Sequence, residues 1–145
     1  MYQRILLAYD GSVTGQQALL DCQEIAQWNH SEVALIAVIP LPLISIGPEG
    51  GVYSETLHES EKKRYQIILD TGVHRLADAG LSARGELVIG DAVTEIVRCA
   101  REIDANLIVV GHKHLDGWAA RWWRGSVSKS LIEHASCHVL VIITR

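Results

Sequence analysis

The chain has 145 residues, 48% of them hydrophobic and 21% charged, with a formal net charge of −4. That length predicts one domain, residues 1–145, able to bury roughly 70% of its unfolded surface. The acidic balance gives no reason to expect nucleic acid or an acidic membrane as partner, and Pro40 and Pro42 interrupt the best candidate for a membrane span.

The N-terminus, MYQRILLAYDG, places Asp10 behind a short apolar run and offers no small-residue cleavage site, so it does not read as a signal peptide. Cys22, Cys99 and Cys137 form no CxxC and are odd in number. Cys22 and Cys99 fall on the apolar faces of predicted helices, so buried free thiols and a cytoplasmic location are expected.

Ile5 to Tyr9 predicts a first strand, ended by Asp10-Gly11-Ser12. A helix follows, capped either by Ser12 or by Thr14 with Gln17 three residues on. Its apolar stripe is Ala18, Cys22, Ile25 and Ala26. Val33 to Ile39 is apolar without alternation, a strand buried on both faces, and Pro40 stops it. Pro40 to Ser54 is rich in glycine and proline and half apolar, which suggests a flap over a pocket or a subunit contact. A long helix from about Glu55 to Ala79 carries Leu57, Tyr65, Ile68, Leu69, Val73 and Leu76 on one face, with Gly80 just past its end.

Ser82 to Ile89 alternates, with Ala83, Gly85, Leu87 and Ile89 on one side and Arg84 and Glu86 on the other, the pattern of a half-exposed edge strand. Gly90-Asp91 opens a third helix with Val93, Ile96, Val97, Ala100 and Ile103 inward. Leu107 to Val110 is a buried strand, a helix follows from about Ser126 to Ala135, and Val139 to Ile143 closes the chain. Strand and helix alternate five times, so the expected fold is α/β: a doubly wound, five-stranded parallel sheet of order 3-2-1-4-5 with helices on both faces. Such sheets take ligands where the winding reverses, between the C-terminal ends of strands one and four. The loops leaving those ends are Ala8–Ser12 and Gly111–Ser128.

The second loop has chemistry suited to an anion. Between Gly111 and Lys129 stand Lys113, Arg121, Arg124 and Lys129 against Asp116 alone. Gly125 leads into Ser126, Val127 and Ser128 at a helix start, where unpaired N–H groups and the helix dipole favour negative charge. Arg121 and Arg124 are candidate phosphate donors or solvated cations. His112 and His114 lack a third ligand at a diagnostic spacing, so a phosphate or backbone contact is favoured over a metal site. Trp118, Trp122 and Trp123 gather in the same loop, as anchors on the core or as a contact surface.

Neither GxxxxGK[ST] nor GxGxxG nor GxSxG occurs, which argues against P-loop, dinucleotide and serine-hydrolase sites. No residue set specifies a catalytic centre. The last strand, Val139-Leu140-Val141-Ile142-Ile143, would leave an apolar sheet edge open in a monomer, so a dimer through it is expected.

From end to end the chain resembles the universal stress proteins, on RILLAYDGS, a strand ending AVIP, GDAVTEIV, LIVVG and GSVSKSLIEHASCHVLVI. The resemblance implies the same sheet order and pairing through the last strand. It also implies an adenine-nucleotide site for ATP, with or without Mg²⁺. In the nucleotide-binding branch a glycine, two residues, a second glycine and nine residues precede Gly-Ser or Gly-Thr. Here Gly111 and Gly125-Ser126 match, His114 stands at the second glycine, and ten residues follow it. By that resemblance Ala8 and Asp10 lie beside adenine and ribose, and Val38 meets adenine through its backbone. Gly111 admits the ribose or α-phosphate, and Gly125, Ser126, Val127 and Ser128 hold the phosphates. Asp10 has a second role open to it as a turn former before Gly11. Expected is a stress-response dimer that senses an adenine nucleotide, hydrolysing it weakly at most. The alternatives are a member acting through protein contacts alone, and an adenine-nucleotide hydrolase or transferase.

Overall fold

The computed structural model describes residues 1–40, 55–113 and 127–144. The elements are β1 (Arg4–Ala8), α1 (Val13–Asn29), β2 (Glu32–Pro40), α2 (Glu55–Asp78), β3 (Ser82–Gly90), α3 (Ala92–Glu102), β4 (Leu107–Lys113), α4 (Val127–His134) and β5 (His138–Thr144). All strand pairs are parallel and the order is β3-β2-β1-β4-β5, as the alternation predicts. The expected flap, and the loop carrying His114, Trp118, Arg121, Trp122, Trp123, Arg124, Gly125 and Ser126, lie outside the described residues.

β1 is central, so consecutive residues Ile5, Leu6 and Leu7 are all fully buried, alternating between the two faces. On one face Ile5, Leu7, Leu35 and Val109 pack with Leu19, Cys22 and Ala26 of α1 and Leu69 and Leu76 of α2. On the other, Leu6, Ile36, Ile108 and Val110 pack with Ile96, Cys99 and Ala100 of α3 and Leu131 of α4. Asn106 sets the β1–β4 register: its Oδ1 accepts from the N–H groups of Gln3 and Arg4, each at 2.9 Å.

Ser12, not Thr14, caps α1, its Oγ accepting from Gly15 N at 3.0 Å. α1 buries a wider arc than the expected stripe, because Gly15 and Leu19 are also inside. Gly80 ends α2 with φ +85°, a left-handed turn that suits a residue without Cβ.

β3 occupies an edge, yet its second face is partly covered: Val88 joins the α3–α4 core and Glu86 accepts the Cys99 S–H at 3.2 Å. Arg98 binds Glu86, Glu95 and Glu102 at 3.1, 2.8 and 2.7 Å, tying β3 to α3. All three thiols are free; burial pushes Cys22 up to about 12.

Asp91 caps α3, its Oδ2 accepting from Thr94 N at 3.0 Å and from the Thr94 hydroxyl at 2.8 Å. The Thr94 backbone bond, then the hydroxyl, hold the Asp91 carboxyl below its ordinary range. A depressed carboxyl stabilises the fold above the unfolded value of about 3.9 and ceases to do so as pH falls through the folded value. Asp91→Ala is expected to cost about 1 kcal/mol at neutral pH, and Asp91→Asn a few tenths. Urea denaturation at pH 7 and pH 3 checks this: the gap between wild type and Asp91→Asn closes in acid.

Candidate functional site

The strands end at different heights. Ala8 pairs with Ile36 on one side and Val110 on the other, but β2 continues to Pro40 and β4 to Lys113. A notch is left above Ala8, at the reversal of winding. The Tyr9 N–H still donates to the Ile36 carbonyl at 3.0 Å, so Ile36 turns its backbone toward β1. Two residues on, Val38 turns its N–H and C=O the same way, into the notch. The next ladder bond, Val38 N–H to Tyr9 C=O, is not made among the described residues.

Strand alternation decides which predicted residues meet. Ala8 and Val38 both pack on the α3–α4 face. His112, two residues beyond Val110, falls on that face too, and its Nδ1 lies 3.4 Å from Ser128 Oγ in the first turn of α4. Ser128 is buried, and Val127 packs on the same core. No acidic residue occupies the first turn of α4. No carboxylate of that turn therefore opposes an anion at the helix start.

The β1–α1 turn supplies the opposite wall. Asp10 Oδ1 accepts from Ser12 N at 2.9 Å and Ser12 Oγ at 2.6 Å, so its turn-forming role is realised. Oδ2 takes no hydrogen bond from the described residues, which leaves one oxygen available to a ligand. Gly11 turns at φ +76°, and a Cβ there would sit 2.7 Å from Ile68 Cγ2 of α2. Gly15 was not singled out as a site residue, yet a Cβ on it would stand 2.7 Å from Asp10 Oδ1. The signal was present, since a glycine in the first turn of a helix costs about 1 kcal/mol against alanine and calls for a reason.

Gly111 is accounted for by packing. A Cβ there would meet the Thr14 carbonyl oxygen at 2.7 Å and Thr14 Cγ2 at 2.8 Å, on the α1 face. Thr14 Oγ1 also lies 3.0 Å from Thr144 Oγ1, so the start of α1 is wedged between the ends of β4 and β5. The structure thus brings Ala8, Val38, His112, Val127 and Ser128 to one face of the notch, sets Asp10, Gly11 and Ser12 in its turn, and points Gly111 at α1. His114, Arg121, Arg124, Gly125 and Ser126 are outside the described residues.

A doubly wound parallel sheet whose strands end at unequal heights where the winding reverses belongs to the α/β domains that take ligands at the C-terminal ends of their strands. Within that class the chain belongs to the universal stress protein family, whose model matches residues 1–142. Universal stress protein MJ0531 of Methanocaldococcus jannaschii is 30% identical over 143 residues, covering 98% of this chain and 82% of the relative. The solved structure of the protein MJ0577 covers 100% of this chain and 98% of its own, with a TM-score of 0.82 at 24% identity. A universal stress protein of Archaeoglobus fulgidus, solved in complex with dAMP, covers 97% of this chain and 98% of its own, with a TM-score of 0.63 at 24% identity. Among the described residues no helix is long and apolar enough to cross a membrane.

Proposed function

We propose that the chain binds an adenine nucleotide in the notch above Ala8, ATP first among candidates, and works as a cytoplasmic stress-response sensor that hydrolyses it weakly at most. The observation that carries this reading is the unmatched backbone edge of Val38. A purine presents a donor and an acceptor on one edge, and an unpaired strand N–H and C=O complement them as a missing strand would. Ala8 and the Val38 side chain supply apolar contact beside that edge. The phosphates reach toward the first turn of α4, with the Ser128 hydroxyl, the His112 ring and the Gly125-Ser126 turn as donors. Asp10 Oδ2 is the proposed acceptor for a ribose hydroxyl or ligand to a Mg²⁺ ion, which would neutralise phosphate charge when bound. The dAMP complex of the Archaeoglobus fulgidus neighbour supports the ligand class.

The alternative, a member acting through protein contacts alone, draws on His114 at the second glycine of the nucleotide-binding pattern. Titration with a fluorescent ATP analogue separates the two. Saturable binding is expected, displaced by ATP, ADP or AMP, and weakened about tenfold or more in Ser128→Ala, as for the loss of a hydrogen bond to a charged group. Absence of saturation at millimolar nucleotide would leave the protein-contact reading standing. Multi-turnover phosphate release abolished by Asp10→Ala would make the protein an enzyme.

The sensor is proposed to be a homodimer joined through β5, by Val139, Leu140, Val141, Ile142 and Ile143. β5 is the open edge of the sheet, and Ile143 is 61% exposed. Antiparallel self-pairing about Val141 sets Val139 against Ile143 and Leu140 against Ile142, apolar on both faces.

A further inference from the structure

The ends of the strands away from the notch carry a second opening. α3 stops at Glu102, and beside its cap, Ile103, a cavity of about 200 Å³ opens on the sheet. Leu6, Ala34 and Arg84 are register-mates on three adjacent strands, and the short alanine in the middle leaves the space. The next row outward is Arg4, Glu32 and Ser82. Leu6, Ala34 and Val88 pack on the α3–α4 face. Alternation therefore sets Arg4, Glu32, Ser82 and Arg84 on that same face, and all four line the cavity.

Two guanidinium groups and one carboxylate thus share a small space without neutralising one another. Arg4 and Glu32 are paired across adjacent strands, about 4.8 Å apart at the backbone, a position where opposite charges attract. Yet among the described residues the ion pairs are those of Arg98, and none involves Arg4, Glu32 or Arg84. Glu86, two residues beyond Arg84, is already engaged by Arg98 and the Cys99 S–H. The Cys99 bond first, with Arg98 and then Arg84 behind it, holds the Glu86 carboxyl below its ordinary range. The Ser82 hydroxyl makes no hydrogen bond among the described residues. The floor between these groups is apolar, with Ala34 8% exposed.

We propose that this cavity binds a free acidic amino acid, glutamate or aspartate. Such a molecule carries two carboxylates and one ammonium, the inverse of the lining. Glu32, in the middle of its row, takes the ammonium. Arg4 and Arg84, on the strands to either side, take one carboxylate each, and the Ser82 hydroxyl donates to the second. By strand geometry the two arginine backbones stand roughly 12 Å apart, two strand spacings across and two residues along. Their long side chains narrow that gap to the length of a dicarboxylate, and guanidinium–carboxylate bonds are charge-assisted. The methylene chain of the ligand covers Ala34. An inorganic anion would satisfy the arginines but meet Glu32 with like charge, and a simple amine would do the reverse. The notch lies at the opposite ends of the strands, so this site and the nucleotide site stand or fall separately.

Isothermal titration calorimetry of the full chain with L-glutamate and L-aspartate tests it. Saturable binding of at least one is expected, about tenfold or more tighter than its counterpart without the ammonium, glutarate or succinate. Arg4→Gln, Arg84→Gln and Glu32→Gln are each expected to weaken it about tenfold or more, as for the loss of a hydrogen bond between charged groups. Glu32→Gln is expected to bind the plain dicarboxylate no worse than wild type does, because the repulsion is gone. All three residues are exposed, so the variants should keep the wild-type thermal melt. No saturation at millimolar amino acid overturns the proposal. So does equal affinity of the wild type for amino acid and dicarboxylate, or wild-type affinity for the amino acid in any one of the three variants.

Discussion

Gly111→Ala is expected to destabilise the protein by about 1–3 kcal/mol, the usual cost of overpacking a filled site, while nucleotide affinity of the folded fraction stays unchanged. The reason is where the added methyl would go. It would lie 2.7 Å from the Thr14 carbonyl oxygen and 3.0 Å from the Thr14 carbonyl carbon. Those are main-chain atoms in the first turn of α1, so no rotamer change relieves the clash; β4 and α1 have to part. Gly80→Ala provides the contrast, since nothing lies within 4 Å of its Cβ position and only its φ of +85° is strained. That variant should cost about 1 kcal/mol through backbone conformation alone. Urea denaturation of both, with nucleotide titration below the unfolding transition, separates the two roles open to Gly111. A stable Gly111→Ala that no longer binds nucleotide would place the ligand, not α1, against this glycine.

The same residue shows how far the sequence could be read. Its position at the end of an apolar run was plain, and so was its fit to a phosphate-binding spacing. Spacing along a chain does not say which face of a sheet a residue looks toward, and one step of strand alternation separates Gly111, toward α1, from His112, toward α4. The fold itself was legible because its signals are local. Runs such as Val33 to Ile39 are apolar throughout because both faces are covered, and the alternation of Ser82 to Ile89 marks an edge. The wholly apolar final strand marks the opposite edge, and β5 lies there.

The notch was less legible for a physical reason. It exists because β1 stops at Ala8 while β2 and β4 run on, a difference in register that no single segment encodes. Asp10 illustrates the same limit. Both roles are open in the sequence, and the structure shows the turn-forming one, with Oδ1 taken by the Ser12 N–H and hydroxyl. Leu19 was missed because α1 lies over several strands at once, and its buried arc is broader than the stripe of a helix resting on one neighbour.

Leu131→Ala is expected to lower stability by about 2–5 kcal/mol and to weaken nucleotide binding as well, although Leu131 points into the core. α4 has eight residues and is too short to hold its shape in isolation. Leu131 is its fully buried apolar side chain, packed among Leu6, Ile108 and Ile96, while the next residue, Ile132, is 63% exposed. Removing the anchor loosens the turn that carries Val127 and Ser128, and with it the Ser128–His112 contact. A phosphate group held by N–H donors needs those donors fixed before it arrives, since ordering them on binding is subtracted from affinity. Leu131→Met, which keeps the volume, should cost under about 1.5 kcal/mol and bind as wild type. Hydrogen exchange would register the difference as faster exchange in α4 of Leu131→Ala. If that variant loses stability yet binds nucleotide with wild-type affinity, the first turn of α4 does not hold the phosphates, and the anion would have to be held from the β1–α1 side of the notch.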